Sequence, residues 1–195
     1  MRAPGRSAGF TLIEVVITMV ILAILAAVGV PQMAAMTSGA NLGSMVEFYM
    51  EGLRRARAGA VQYNGASRLV LTVNGITGQY NWETDWCLPT ATVACSDVSG
   101  TWTTTASTTP APSISRPARG LPTTAQYTVT VVPANANAIY FNSLGWLNNN
   151  VAAQVSQLTI ASADGSTRTA IKILRSGLAV HCNPDVAAPD SRACP

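Results

Sequence analysis

Apolar positions are distributed along this chain in three distinct ways. From Phe10 to Val30 they are nearly continuous: Glu14 is the one charged residue, and only Thr11, Thr18 and Gly29 otherwise interrupt the run. At 1.5 Å per residue a helix of this length reaches about 30 Å, the thickness of a bilayer hydrocarbon core. From Gln32 to about Gln62 the apolar residues thin to a stripe. Val46, Tyr49, Met50, Leu53, Ala56, Ala60 and Val61 recur at steps of three and four, which predicts an amphipathic helix continuing the first. Pro31 marks the junction, Gly39 and Gly43 weaken the middle, and Tyr63-Asn64-Gly65 supplies a stop. Arg54 and Arg55 follow Glu51 by three and four positions, the spacing for ion pairs on a helix surface.

Beyond residue 65 the pattern becomes that of strands. Arg68–Val73, Ile76–Trp82, Gln126–Val132, Ala138–Phe141, Val155–Ala161 and Thr169–Leu174 are rich in β-branched and aromatic residues and are bounded by turn formers. Asn74-Gly75 predicts a tight hairpin between the first two, and Asp164-Gly165 a turn between the last two. Residues 99–124 differ in texture, being mostly Thr, Ser, Pro and Ala, and read as a long loop outside the domain. There is no internal repeat. The expected fold is α+β: one long N-terminal α-helix, with a membrane half and an amphipathic half, packed on a β-sheet-rich globular head. The division is 1–9 as a leader, 10–30 as the membrane helix, 31–65 as its amphipathic continuation and 66–195 as the head.

Composition narrows the chemistry. Only 11% of the 195 residues are charged, against roughly 25% in an ordinary soluble domain. The formal net charge is +3, and Arg2 and Arg6 carry two of those charges, so the rest is near neutral and unlike a general polyanion binder. Arg54, Arg55 and Arg57 form the main basic cluster, explained by surface ion pairs or by docking of a neighbouring subunit. The four cysteines, Cys87, Cys95, Cys182 and Cys194, lack zinc-knuckle spacing, and His181 is the sole histidine, so no metal site is expected. An even count fits two disulfides formed in an oxidising compartment. Of the three possible pairings, Cys87–Cys95 and Cys182–Cys194 close the shortest loops. No phosphate-binding loop and no nucleophile–base pattern is present, so neither catalysis nor a cofactor is expected. Trp82, Trp86, Trp102 and Trp146 read as core or loop anchors.

Glu14 is the outlying feature. A carboxylate in a membrane span costs about 2.5–3.5 kcal/mol on insertion scales. Its presence is unlike a secretory signal peptide, and a plain single-pass anchor leaves it unexplained. If the chain is cut between Gly9 and Phe10, a new α-amine stands four residues before Glu14. The carboxylate of one helix then has the amine of a neighbouring helix as its partner, and assembly removes the penalty. The basic stub favours a cytoplasmic N-terminus, with the head on the oxidising side of the membrane.

The stretch GFTLIEVVITMVILAILAAVGVP resembles the N-terminus of type IV pilins and of type II secretion pseudopilins. The resemblance covers the short basic leader ending in Gly9, Phe10 as the new first residue, Glu14 as its fifth, the apolar run and Pro31. It implies cleavage after Gly9 by a prepilin peptidase, methylation of the Phe10 amine, and assembly through Glu14 and Pro31. The implied partners are other pilins or pseudopilins, an inner-membrane assembly platform and, before assembly, membrane lipid. LRRARAGAVQYNGASRLVLTV, AIYFNSLGW and IKILRSGLAVHC resemble segments of the GspH/FimT group of minor pilins, the last as a closing hairpin with Gly177 at its turn. The resemblance departs in two places. Ala56-Arg57-Ala58-Gly59-Ala60 lacks the acidic residue of the group, and Gly177 precedes Leu178, Ala179 and Val180 where DNA-binding members carry arginines. A role in DNA uptake is therefore disfavoured. Three functions follow in order: a minor pilin that starts or tips a type IV pilus, a secretion pseudopilin, and a filament-borne DNA or ligand receptor.

Overall fold

The structure, a computed structural model, describes residues 11–87, 113–148, 151 and 153–195. An α-helix, α1, runs from Leu12 to Gln62, with no break in it at Pro31, Gly39 or Gly43. It is followed by β1 (Ala66–Val73), β2 (Tyr80–Cys87), β3 (Ile114–Arg116), β4 (Tyr127–Val132), β5 (Ala138–Phe141), β6 (Gln157–Ser162), β7 (Arg168–Ile173) and β8 (Ala179–Cys182). The strands form two four-stranded sheets, ordered β3-β2-β1-β5 and β4-β6-β7-β8. Every pairing between strands is antiparallel. The fold is α+β. The chain separates into two units, residues 1–40 and 41–195, and α1 is continuous across the boundary.

In the second unit, one apolar cluster joins α1 to both sheets. Met45, Tyr49, Leu53, Ala56 and Ala60 meet Leu69, Trp82, Ile139 and Phe141 of the first sheet and Leu158, Ile160 and Ile171 of the second. The expected stripe is shifted slightly: Met45 is fully buried and Val61 is exposed. Two further contacts fix the helix. The Ser67 hydroxyl donates to the Ala56 carbonyl at 2.6 Å, and the Tyr49 phenol accepts the Tyr80 N–H at 3.2 Å. Burial pushes the Tyr49 phenol well above its ordinary pKa. The helix ends in a Schellman motif. Asn64 adopts φ 46°, its N–H reaches the Val61 carbonyl, and the Gly65 N–H reaches the Ala60 carbonyl.

Glycine sets how closely helix and sheet approach. A Cβ on Gly59 would fall 1.4 Å from the Trp86 indole nitrogen, and one on Gly52 would fall 2.8 Å from the Trp82 ring. Both indoles belong to β2, which lies against the helix at these two points.

Three local expectations need correction. The β1–β2 connection is not a two-residue hairpin. Val73 pairs with Tyr80, and the Asn74 side chain accepts the N–H groups of Ile76 and Thr77, so Asn74 builds a wider turn and β2 starts at Tyr80 rather than Ile76. The 99–124 segment is not all loop: β3 pairs with β2, and Ala118 is buried in a 3-10 turn tied to Asn81 and Thr77. Its residues 99–112 lie outside the described residues. Buried Gln79 continues this tie by donating to the carbonyls of Pro122 and Tyr127. Finally, Arg55 pairs with Glu51 as expected, whereas Arg54 reaches back seven residues to Glu47 at 2.7 Å.

The two kinds of helix glycine predict opposite outcomes. Gly59→Ala forces α1 away from Trp86 and costs about 1–3 kcal/mol, the range for overpacked cores. Gly43→Ala, with open space around its Cβ, gains about 0.5–1 kcal/mol from helix propensity. Urea denaturation of the full chain in detergent micelles reads both signs. A second expectation concerns the β6–β7 turn. The Ser162 hydroxyl, then the Ser166 N–H and hydroxyl, donate to the Asp164 carboxylate and lower its pKa from 3.8 to about 2. A depressed carboxylate stabilises the fold above its unfolded pKa and loses that contribution as pH falls through the folded value. The Ser166 amide resonance should therefore titrate with a midpoint near 2. A midpoint at the ordinary carboxylate value would show the turn to be open in solution.

Candidate assembly site

The first unit contains the apolar part of α1. Leu12–Val30 has a mean hydropathy of 2.7 and none of it is buried within the chain. Leu12, Ile13, Val16, Ile17, Leu22 and Leu25 are among its exposed apolar side chains. Length and composition suit this helix to crossing a membrane. Its polar side chains are handled locally: the Thr18 hydroxyl donates to the Val15 carbonyl at 2.8 Å.

Glu14 sits in the first turn of this helix. Its backbone N–H is held by Thr11, at 3.3 Å from the hydroxyl and 3.1 Å from the carbonyl. Thr11 is therefore the N-cap, and Thr11-Leu12-Ile13-Glu14 has the S/T-x-x-E spacing of a capping box. The Glu14 carboxylate belongs to the turn where the helix dipole presents its positive end, the favourable place for an anion on an apolar helix. The cap was readable in the sequence, but counting the apolar run from Phe10 conceals it. Gly9 and Phe10 lie outside the described residues. Pro31 lies within α1 and has no N–H, so the Ala27 carbonyl has no donor four residues on.

On the head, Cys182 and Cys194 are joined in a disulfide. Cys87 is also disulfide-bonded, and its expected partner Cys95 lies outside the described residues. The bridge from Cys182 closes the C-terminal segment onto β8, where Asn183 bridges Ala193 and the Asn183 N–H reaches the Arg192 carbonyl at 2.7 Å. His181 stands exposed on β8 with its Nε2 against the Thr169 hydroxyl. Trp82 and Trp86 are buried and Trp146 is exposed, while Trp102 lies outside the described residues. Of the basic cluster, Arg54 and Arg55 are surface ion-pair members, and Arg57 donates through Nε to the Gly145 carbonyl at 3.1 Å. Among the described residues no group of three or more His, Cys, Asp or Glu could hold a metal ion.

Residues 5–30 match the prokaryotic N-terminal methylation motif. The match supports a type IV pilin-like protein, a structural subunit anchored by an apolar N-terminal helix. It implies processing by a prepilin peptidase and assembly with other pilins. No curated protein and no solved structure gives a significant match to the chain.

The cap generates a prediction. Thr11→Ala removes the side-chain acceptor for the Glu14 N–H, leaving only the Thr11 carbonyl, and should loosen the first turn by about 1 kcal/mol. Amide hydrogen exchange of Ile13 and Glu14 in micelles should then accelerate several-fold, with Met45 and Tyr49 unchanged. Equal exchange in both variants would remove Thr11 from the account.

Proposed function

We propose that this chain is a minor pilin of the GspH/FimT type, built through its N-terminal helix into the start or tip of a type IV pilus. The observation that carries the reading is the methylation motif over residues 5–30, which takes in the exposed apolar helical stretch Leu12–Val30, where Glu14 is the sole charge. The order of elements, one helix followed by antiparallel strands packed on its second half, supports it. The disulfides agree with a head outside the cytoplasm.

In this mechanism the leader, residues 1–9, is removed between Gly9 and Phe10, and the new amine is methylated. A methylated amine remains basic and protonable, so it keeps the charge needed to meet a carboxylate. In the bilayer each subunit carries an unmatched Glu14. When apolar helices pack, Glu14 of one faces the amine of its neighbour, and the cost of the buried carboxylate is offset. The ATPase that extracts subunits belongs to other proteins, and this chain works by packing rather than catalysis.

The test uses the full chain expressed with a prepilin peptidase and the pilus assembly proteins. Mass spectrometry of the N-terminal peptide should show a chain beginning at methylated Phe10. Glu14→Ala should leave that processing intact while its recovery in sheared filaments falls by more than about tenfold, as expected when one member of a buried pair is lost. A mature chain still beginning at Met1, or wild-type recovery of Glu14→Ala, would overturn the mechanism.

A further inference from the structure

Two Asn-Gly pairs occur in the chain, Asn64-Gly65 and Asn74-Gly75. This dipeptide carries a chemistry of its own, because glycine leaves the backbone nitrogen after the asparagine unshielded by a side chain. That nitrogen can close on the side-chain amide to form a cyclic imide. The fold treats the two pairs differently. Asn74 is 6% exposed, and its side chain is engaged at both ends. Its Oδ1 accepts the N–H groups of Ile76 and Thr77 at 2.9 and 3.2 Å, and its Nδ2 donates to Asn81 Oδ1 at 2.8 Å. The backbone is held as well: the Asn74 N–H reaches the Gln79 carbonyl, and the Gly78 N–H reaches the Asn74 carbonyl. Closing a ring on Asn74 requires the β1–β2 turn to come apart.

Asn64 is the opposite case. It is exposed, and its side-chain amide has no hydrogen-bond partner among the described residues. The restraint falls on the glycine instead: Gly65 is buried and its N–H reaches the Ala60 carbonyl at 3.1 Å. The Asn64 N–H adds a bond of 3.3 Å to the Val61 carbonyl. Both bonds belong to the last turn of α1, and helix ends are where local opening costs least. Opening at Asn64 breaks these two terminal bonds and leaves every strand pairing in place. Opening at Asn74 breaks five hydrogen bonds and brings a buried side chain into water.

We propose that Asn64 is a site of spontaneous deamidation in the folded chain, and that Asn74 is protected from it. The Gly65 nitrogen gives its proton to solvent base and bonds to Asn64 Cγ. The Cγ–Nδ2 bond breaks, and the amide nitrogen leaves as ammonia. Water then opens the cyclic imide at either carbonyl, giving aspartate or isoaspartate. The net change consumes water and releases ammonia, and nothing is oxidised or reduced. Either product acts on the joint between helix and sheet, since Tyr63, Asn64 and Gly65 alone connect α1 to β1. Aspartate adds a negative charge at the C-terminal end of α1, where the helix dipole is already negative. Isoaspartate lengthens the main chain and removes the left-handed geometry, φ 46° at Asn64, that closes the helix. The Tyr63 ring, 6.0 Å from that of Trp86, stands directly beside the modified residue.

The test ages the purified full chain in detergent micelles at mildly alkaline pH, beside a second sample unfolded in urea. Peptide mapping by mass spectrometry reads amide-to-acid conversion at each asparagine. Methyl transfer from labelled S-adenosylmethionine by an isoaspartate-specific methyltransferase reads the isoaspartate formed. In the folded sample Asn64 should convert more than about tenfold faster than Asn74, the separation expected between opening of a helix end and opening of an internal turn. In urea the two sites should convert at similar rates, because both then present the same dipeptide. Asn64→Gln, whose ring closure is far slower, should abolish the fast conversion and leave Asn74 as slow as before. Equal conversion of the two sites in the folded chain would overturn the proposal. So would faster conversion at Asn74, or an intact Asn64 in the folded chain while the unfolded sample converts.

Discussion

The head depends on how closely α1 can lie against β2. Gly52 and Gly59 are seven positions apart, two turns of helix or about 10.5 Å. Trp82 and Trp86 are four positions apart on one face of a strand, about 13 Å. The two gaps in the helix surface therefore run nearly in step with the two indoles. Ala56 and Ala60 keep the same helix face shallow, and the strand supplies the bulk that fills the interface. A helix with larger residues at these places would stand off the sheet and open the cluster that also holds Leu158, Ile160 and Ile171 of the second sheet.

This arrangement explains which parts of the fold were legible in the sequence. Periodicity reveals α1 because Tyr49, Leu53, Ala56 and Ala60 recur on one face, and Tyr63-Asn64-Gly65 ends it by geometry that Asn and Gly tolerate well. Val61 misled because it follows Ala60 by one position, which turns it about 100° away from the stripe. Gly52 and Gly59 carry no such signal, since a helical glycine reads as a weakness until the indoles opposite are known. β3 escapes for another reason: three residues in a Thr- and Pro-rich segment show no period, and their pairing with β2 is a tertiary fact. Asn74 was legible as a turn former but not as a side-chain acceptor for two backbone donors. At the candidate assembly site, Glu14 stood out by its charge, whereas the Thr11 cap was hidden by a hydropathy count that began one residue earlier.

The scarcity of charge on this chain gives each ion pair a placing role rather than an energetic one. Arg168–Asp185 ties β7 to the C-terminal segment beyond Cys182, at 2.8 Å and about half exposed on both sides. Arg116–Glu51 lays the β3 edge beside α1. Such pairs add at most about 1 kcal/mol each, so the apolar cluster and not the charges holds the head together. Arg68–Asp85 is the more enclosed case, with Asp85 at 2% side-chain exposure on the face of the first sheet away from α1. Removing one partner there leaves a buried charge, a larger cost than losing any surface pair.

Seen through its polar groups, α1 follows one rule along its length. Where a donor or acceptor can be satisfied within the chain, it is: Thr11 caps the start, Thr18 bonds to the preceding turn, Ser67 meets the Ala56 carbonyl, and Asn64 and Gly65 close the end. The group left over is a charge, the Glu14 carboxylate on the apolar run. An apolar surface that carries an unmatched charge is poorly solvated by lipid and favours a partner offering both apolar area and the opposite charge. On the reading proposed, the methylated amine of a neighbouring helix meets this requirement. Assembly through this pair needs no conformational switch, because the unmatched carboxylate is already displayed by the single chain.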